Sequence, residues 1–434
     1  MFLQRITRTQ TSKEVLNSFK KSLLPVNNDG VQTGRSRFRT PWAQRIRSLV
    51  TITSVEKISD EGVKIRFDNH AQEHKFSNIW LRDHCRCSEC YFKETTQRRS
   101  ETHSIPLDLK MTDVRVDNDQ VKFSFSDGHV TSFDADWLFE NQYGKKLYEA
   151  FTFESEKRKF WDKGQENDMV PDISFGEVIS NKEALYELLK NIAIYGHAFV
   201  SDTPSDVHKG VAEIGKAIGL LRATPYGTVW SIRGEEQLEG ADYKDSSYWD
   251  ISLPGHTDGT YNIDAPGLQF FNIPSHVGLG GESLLVDAIH CAHILRQKNK
   301  EAFEFLSTTS IPSLYYDGDN IFKGYGPVIK LYPGTDTIYQ VRINDLDRDT
   351  LSCLEYEDVK MFYRSIHLFT EILRHESNEV WFKLRHDQTM ITDNWRVLHG
   401  RKQFTGVRYL QGGYLNREDY LSKLNVLHMK YRKK

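Results

Sequence analysis

Between residues 50 and 140 apolar side chains tend to recur at every second position, which predicts short strands. In VKIRF the alternation sets Val63, Ile65 and Phe67 on one face, after the turn-like SDEG at 59–62. In DVRVDNDQVKFSFSDG, Val114 and Val116 precede the polar DNDQ, and Val121, Phe123 and Phe125 follow it, which is a hairpin pattern. Past residue 172 a longer period appears. Leu185, Leu188, Leu189 and Ile192 recur at helical spacing and stop at Gly196, and Val211, Ile214 and Ile218 do so before Gly219. Strand-like runs follow at 197–202, 268–273 and 283–288. A longer helix is predicted through Val359, Phe362, Ile366, Phe369 and Ile372, before a final block of strand-like and then helical sequence. Many short strands with few helices predict a mainly β fold with flanking helices, a double-sheet jelly roll, over a regular alternating parallel sheet. Four segments are expected: a basic arm at 1–48, a β domain at 49–149, a charged linker at 150–172, and the jelly-roll domain at 173–434. The glycine run GLGGE at 278–282 lacks a phosphate-binding lysine and reads as a turn between strands.

Charge narrows the function classes. The 434 residues carry 57 Lys and Arg against 60 Asp and Glu, a formal net charge of -3. So even a balance argues against a nucleic-acid partner. No apolar run is long enough to span a bilayer. The first fifty residues depart from the average, with ten Lys or Arg and two acids, Glu14 and Asp29. An amphipathic, basic, acid-poor segment has the composition of a mitochondrial transit peptide, and equally of a disordered basic arm. The matrix is the expected location, with the cytoplasm as the alternative. In either reducing compartment, closely spaced cysteines suggest a metal before a disulfide.

Three of the five cysteines, Cys85, Cys87 and Cys90, fall within six residues in WLRDHCRCSECY. C-x-C-x2-C brings three thiolates close enough for one cation, for which zinc is the default. His84, His103 and His129 are all candidates for the fourth ligand. Closed by four protein ligands, such a site is structural.

A second metal question arises in GHTDGTY, where His256 and Asp258 would share one side of an extended segment. H-x-D alone is weakly informative. DNWRVLHGRKQFTGVRYL adds His399, and nine residues later Arg408. Two histidines and one carboxylate form a facial triad that leaves three positions open on an octahedral iron. An arginine beyond the second histidine can pair bidentately with a cosubstrate carboxylate.

WLRDHCRCSEC, GHTDGTY, GGESLLVDA and DNWRVLHGR…FTGVRYLQGGYL resemble, in order and over roughly residues 50–430, the γ-butyrobetaine hydroxylase and trimethyllysine dioxygenase family. These are Fe(II)- and 2-oxoglutarate-dependent enzymes acting on small molecules. The resemblance implies a small N-terminal zinc-binding β domain, with His129 as the fourth ligand. It implies a double-stranded β-helix in which His256, Asp258 and His399 hold iron and Arg408 holds 2-oxoglutarate. Ascorbate as reductant and a homodimeric assembly are implied in the same way. The family's aromatic cage for a trimethylammonium group falls on Tyr226, Trp230, Tyr248 and Tyr414, recognition by cation–π attraction being the option left to a cation without N–H donors. Asp245 stands where the butyrobetaine enzymes resemble one another in having asparagine. A carboxylate there attracts an α-ammonium and repels a substrate bearing only a carboxylate. Asn344 matches the second polar contact at that end. With the HTD-x-TY form of the iron motif, these residues point to the trimethyllysine branch, which hydroxylates C3 of N6,N6,N6-trimethyllysine with O2 and yields succinate and CO2. γ-Butyrobetaine hydroxylation is the alternative, and a non-enzymatic methyl-ammonium-binding zinc protein or a metallohydrolase are the rivals in other classes.

Overall fold

The structure, a computed structural model, describes residues 50–59, 61–68, 72–117, 120–144, 158–164, 172–206, 208–234 and 246–431. The basic arm, Asp245 and most of the expected linker lie outside the described residues. The chain divides into two compact units, Met1–Gly144 and Lys145–Lys434.

In the first unit, β1 (Ile52–Ser59), β2 (Gly62–Phe67) and β3 (Glu73–Ser77) form an antiparallel sheet, followed by the short helix α1 (Asn78–Asp83). A small ladder of β4 (Tyr91–Phe92) and β5 (Gln97–Arg98) comes next. A second antiparallel sheet, β6 (Met111–Asp117), β7 (Gln120–Phe125) and β8 (Val130–Asp134), leads into α2 (Ala135–Glu140). Period-2 alternation buries Val63, Ile65 and Phe67 against Val121, Phe123 and Phe125 in one core. In the β6–β7 hairpin, Val114 faces Phe123 and Val116 faces Val121. Val116, beside the turn, stays exposed, whereas Met111 at the other end is buried opposite Phe125.

The second unit is built on two facing sheets. Its elements run β9 (Ile173–Ser174), α3 (Phe175–Ser180), α4 (Lys182–Tyr195), β10 (His197–Ser201), α5 (Gly210–Ile218), β11 (Val229–Gly234), β12 (Leu253–His256), β13 (Leu268–Val277) and β14 (Ser283–Asp287). Helices α6 (Ala288–Lys298) and α7 (Lys300–Thr308) precede two hairpins, β15 (Ile311–Tyr316) with β16 (Ile321–Gly326) and β17 (Ile329–Leu331) with β18 (Ile338–Val341). Then come α8 (Tyr356–Leu373), β19 (Val380–Phe382), β20 (Thr389–Asp393), β21 (Val397–Arg401), β22 (Val407–Leu415) and α9 (Arg417–Tyr431). The larger sheet has the order β11-β22-β13-β20-β10-β9 and the smaller β12-β21-β14-β19, antiparallel apart from the β9–β10 edge.

Alternation assigns each strand residue to a layer. Phe270 packs outward on α4, α5 and α9, while Phe271 points inward between the sheets. Leu284 and Val286 face the layer of α6, α7 and α8, while Leu285 joins the inter-sheet cluster with Trp230, Ile232, Met390, Leu410 and Tyr414. This is a jelly roll covered by helices on both faces. Helix α4 ends at Gly196 in the left-handed region, φ 82°, as the periodicity predicts. Residues 158–164 run along this unit: the Trp161 indole N–H donates to Tyr195 O and the Lys163 N–H to Ser377 O. At one edge the buried Arg396 and Asp287 pair bidentately, at 3.2 and 2.7 Å, which ties β14 to the residues before β21. No helix among the described residues is long and apolar enough to cross a membrane.

Candidate active site and metal centre

The β12–β21 ladder sets His256 directly opposite His399, with ring centroids 4.4 Å apart. The strand ends at His256, so Asp258 is not brought alongside by extended geometry. It lies in the turn that follows, where Gly259 has φ +68° and a Cβ would meet Pro266. His256 Nε2 lies 3.3 Å and His399 Nε2 3.7 Å from Asp258 Oδ1. The three donor atoms lie within 4.8 Å of one another. Two imidazole nitrogens and one carboxylate oxygen, half-buried or buried, fit a divalent first-row ion such as iron.

Surrounding groups orient each of these donors. His256 Nδ1 donates to Pro254 O at 2.8 Å, which leaves the Nε2 lone pair for a metal. Asp258 Oδ2 accepts from Gln269 Nε2 and from the Tyr414 hydroxyl, both at 2.6 Å, so Oδ1 faces the histidines. Asn394 straps the main chain: its Oδ1 accepts the Asp258 N–H at 2.9 Å, and its Nδ2 donates to Asp258 O and Pro266 O, each at 3.0 Å. Burial works against the Asp258 charge, but the two imidazoles and the Tyr414 hydroxyl hold its carboxyl well below the usual range. Burial and the neighbouring His256 push His399 down to about 3, so this imidazole is neutral and free to ligate. Burial opposes a charge on His256 too, yet Asp258 raises it, and that proton is what a cation displaces. Asn394→Asp keeps the acceptor for the Asp258 N–H and loses both donors. We expect Fe(II) affinity to fall by roughly ten- to hundredfold in anaerobic titration. An unchanged affinity would show the strap to be dispensable.

Arg408 enters from β22, on the same inward face as Leu410 and Tyr414. It is 5% exposed, its Nε has no hydrogen-bond partner, and no carboxylate pairs with it among the described residues. Burial, with Arg401 nearby, lowers it to about 9, which leaves it a cation at neutral pH. A buried, unpaired guanidinium is costly unless an anion joins it. A dicarboxylate such as 2-oxoglutarate fits that demand.

One cavity joins the triad to Arg408 and to most of the expected substrate residues, Tyr226, Trp230, Asn344 and Tyr414. Trp230 and Tyr414 stand 5.9 Å apart at 46°. Gly412 makes room for this, since a Cβ there would fall 2.2 Å from the Trp230 ring. Tyr248 lies on the turn Ser246–Tyr248 and packs on the inter-sheet cluster; in the described cavity wall its neighbours Ser246 and Ser247 appear instead. Asn344 uses its Oδ1 to accept the Leu346 N–H. Sequence reasoning passed over Tyr261, Gln269, Asp347 and Arg401, which also line this cavity. Tyr261 stood inside GHTDGTY, but Gln269 lay in an apolar run that gave no chemical signal.

Residues 161–414 match the family described as taurine catabolism dioxygenase TauD, TfdA family, and residues 58–139 match the γ-butyrobetaine hydroxylase-like N-terminal family. Trimethyllysine dioxygenase, mitochondrial, of Bos taurus is 35% identical over 98% of this chain and 96% of its own length. The Homo sapiens protein of that description is 32% identical over 94% and 92%. The chain belongs to the trimethyllysine dioxygenase family. Gamma-butyrobetaine dioxygenase of Homo sapiens is more distant, 27% identical over 83% of this chain and 92% of its own. The dioxygenase match spans the triad and Arg408, so the enzyme class and the site's donor chemistry agree.

In the first unit Cys85, Cys87 and Cys90 meet His129, with Sγ–Nε2 distances of 3.2, 3.7 and 3.6 Å. His129 sits on the β7–β8 turn, where its N–H donates to Asp127 Oδ1. Its alternatives make other contacts: His84 Nδ1 donates to Trp80 O and its ring stacks on Trp80, while His103 is exposed. Burial pushes the Cys85 thiol up to about 11, a cost that a bound cation removes. Arg82 donates to Cys90 Sγ at 3.4 Å and pairs with Asp127 at 2.8 Å.

Proposed function

We propose that this chain hydroxylates C3 of N6,N6,N6-trimethyllysine as an Fe(II)- and 2-oxoglutarate-dependent dioxygenase, a step of carnitine biosynthesis. The observation that carries the reading is the convergence, in one cavity, of a His-Asp-His donor set, a buried unpaired arginine and an aromatic wall. Bound iron, with O2 and 2-oxoglutarate, supplies the oxidising power for an unactivated C–H bond that no side-chain acid or base provides. His256, Asp258 and His399 are the residues to hold it.

Arg408 anchors the distal carboxylate of 2-oxoglutarate by a bidentate pair. Phe271, Ile273, Met390 and Leu410 line the cavity and keep water from the reacting centre. Trp230, Tyr414, Tyr226 and Tyr248 form the trimethylammonium cage. Tyr414 then acts twice, since its ring faces Trp230 while its hydroxyl orients Asp258. Asn344 and Asp245 take the amino-acid end, so both ends of the chain are fixed and C3 faces the metal. The test is competition: with Fe(II), ascorbate and 2-oxoglutarate, equimolar trimethyllysine and γ-butyrobetaine are offered together. Hydroxylation of trimethyllysine in clear excess supports the reading, whereas a γ-butyrobetaine product in excess assigns the chain to the other activity.

Cys85, Cys87, Cys90 and His129 are proposed to hold a structural zinc within the segment 49–149. Three thiolates leave that site one negative charge beyond the cation, which Arg82 offsets. Cys87→Ser should lower zinc content from one per chain toward zero and lower the melting temperature, read by elemental analysis and calorimetry; full retention of both would remove zinc from the account. The mitochondrial description of the relatives and the basic arm support a matrix location, and a homodimer using ascorbate completes the proposal.

A further inference from the structure

We propose that Asp347 is the carboxylate that selects an α-ammonium on the substrate, and thereby favours an amino-acid betaine over a simple betaine acid. This rests on the trimethyllysine reading above. Among the described residues lining the cavity, the carboxylates are Asp258 and Asp347. Asp258 is committed to the metal and to its hydrogen bonds from Gln269 and Tyr414. Asp347 is the one left to face a ligand cation from this wall.

Its position is fixed relative to the metal. The Thr260 hydroxyl donates to Asp347 Oδ2 at 3.1 Å, two residues beyond Asp258. On the other side of Asp258, the Thr257 N–H donates to Ile343 O at 2.8 Å, and the Ile343 N–H donates to the Thr257 hydroxyl at 3.0 Å. Arg342 Nη2 also donates to Thr260 O. The segment carrying Asn344 and Asp347 is therefore stitched to the metal motif on both flanks of Asp258. Electrostatically the cavity has two poles. Arg408 has Arg401 as its charged neighbour, while the field of Asp347 reaches His256 and Arg342. A dicarboxylate belongs at the first pole and an ammonium at the second.

Substrate chemistry separates the two cations of trimethyllysine. The trimethylammonium is bulky and has no N–H, so a carboxylate offers it no directional bond, and aromatic faces serve it better. The α-ammonium is compact with three donors, and a charge-assisted N–H···O bond to a fixed carboxylate gives it both energy and orientation. γ-Butyrobetaine has no such group to offer.

The test is anaerobic calorimetry on the iron- and 2-oxoglutarate-loaded enzyme with trimethyllysine and with 6-(trimethylammonio)hexanoate, the same chain without its α-ammonium. Wild type should prefer trimethyllysine by about tenfold or more, and Asp347→Asn should bring the two affinities within about threefold. Asp347→Ser, which also keeps a partner for the Thr260 hydroxyl, should do the same if the asparagine variant does not fold. A preference that survives, or equal weakening of both ligands, overturns the role of Asp347. Loss of the preference in Asp245→Asn, with its retention in Asp347→Asn, overturns it likewise. A wild type that binds neither ligand overturns instead the substrate reading on which the proposal stands.

Discussion

Asp258→Ala should abolish turnover, with succinate release reduced on the order of a thousandfold or more. Oδ1 is the donor that faces both histidines, and no other carboxylate takes its place in the described triad. The substitution also leaves Gln269 Nε2 and the Tyr414 hydroxyl without the acceptor that each reaches at 2.6 Å. Unpaired buried donors of this kind cost about 1–3 kcal/mol each. The damage therefore spreads from the metal to the cage wall through Tyr414. Iron content and trimethyllysine affinity should fall together, measured by elemental analysis and by calorimetry. Substantial retained turnover in Asp258→Ala would sink the triad.

Arg408→Met should raise the KM for 2-oxoglutarate by roughly thirtyfold to several thousandfold, as loss of one partner of a buried charge pair costs about 2–5 kcal/mol. The iron donors stay in place, so Fe(II) affinity should not change. Stability should move the opposite way. Without cosubstrate Arg408 is a buried cation with no carboxylate partner among the described residues, and a methionine of similar length removes that cost. Thermal melts of the cosubstrate-free proteins should thus show the variant at or above wild type. A variant that melts well below wild type while keeping its KM would mean that Arg408 serves the fold, not 2-oxoglutarate.

Period and local chemistry carried much of the fold in advance. Val63, Ile65 and Phe67 are buried as their alternation predicts, and α4 ends at Gly196 because only a glycine takes φ 82° there without strain. The hairpin with Val114 and Val116 was legible, but the exposure of Val116 was not. Alternation names a face; it does not say where the core beneath that face ends. In the site, His256, His399 and Arg408 could be picked out because their residue types are rare and their motifs long. Asn394, Gln269 and Tyr414 act on Asp258 across 136, 11 and 156 positions, through contacts that exist only once the sheets have paired. Tyr414 was expected as an aromatic wall, and its hydroxyl contact to Asp258 had no sequence signature. Asp347 follows the same rule: INDLD offers three polar residues, and only the fold shows that Asn344 and Asp347 turn to the cavity.

The most direct test is turnover of trimethyllysine under 18O2 with Fe(II), 2-oxoglutarate and ascorbate, followed by mass spectrometry and fragmentation of the product. The account predicts one 18O atom in a hydroxyl at C3 and one in succinate, with both products absent under argon. Product oxygen drawn from water, or turnover that persists without O2, would contradict it.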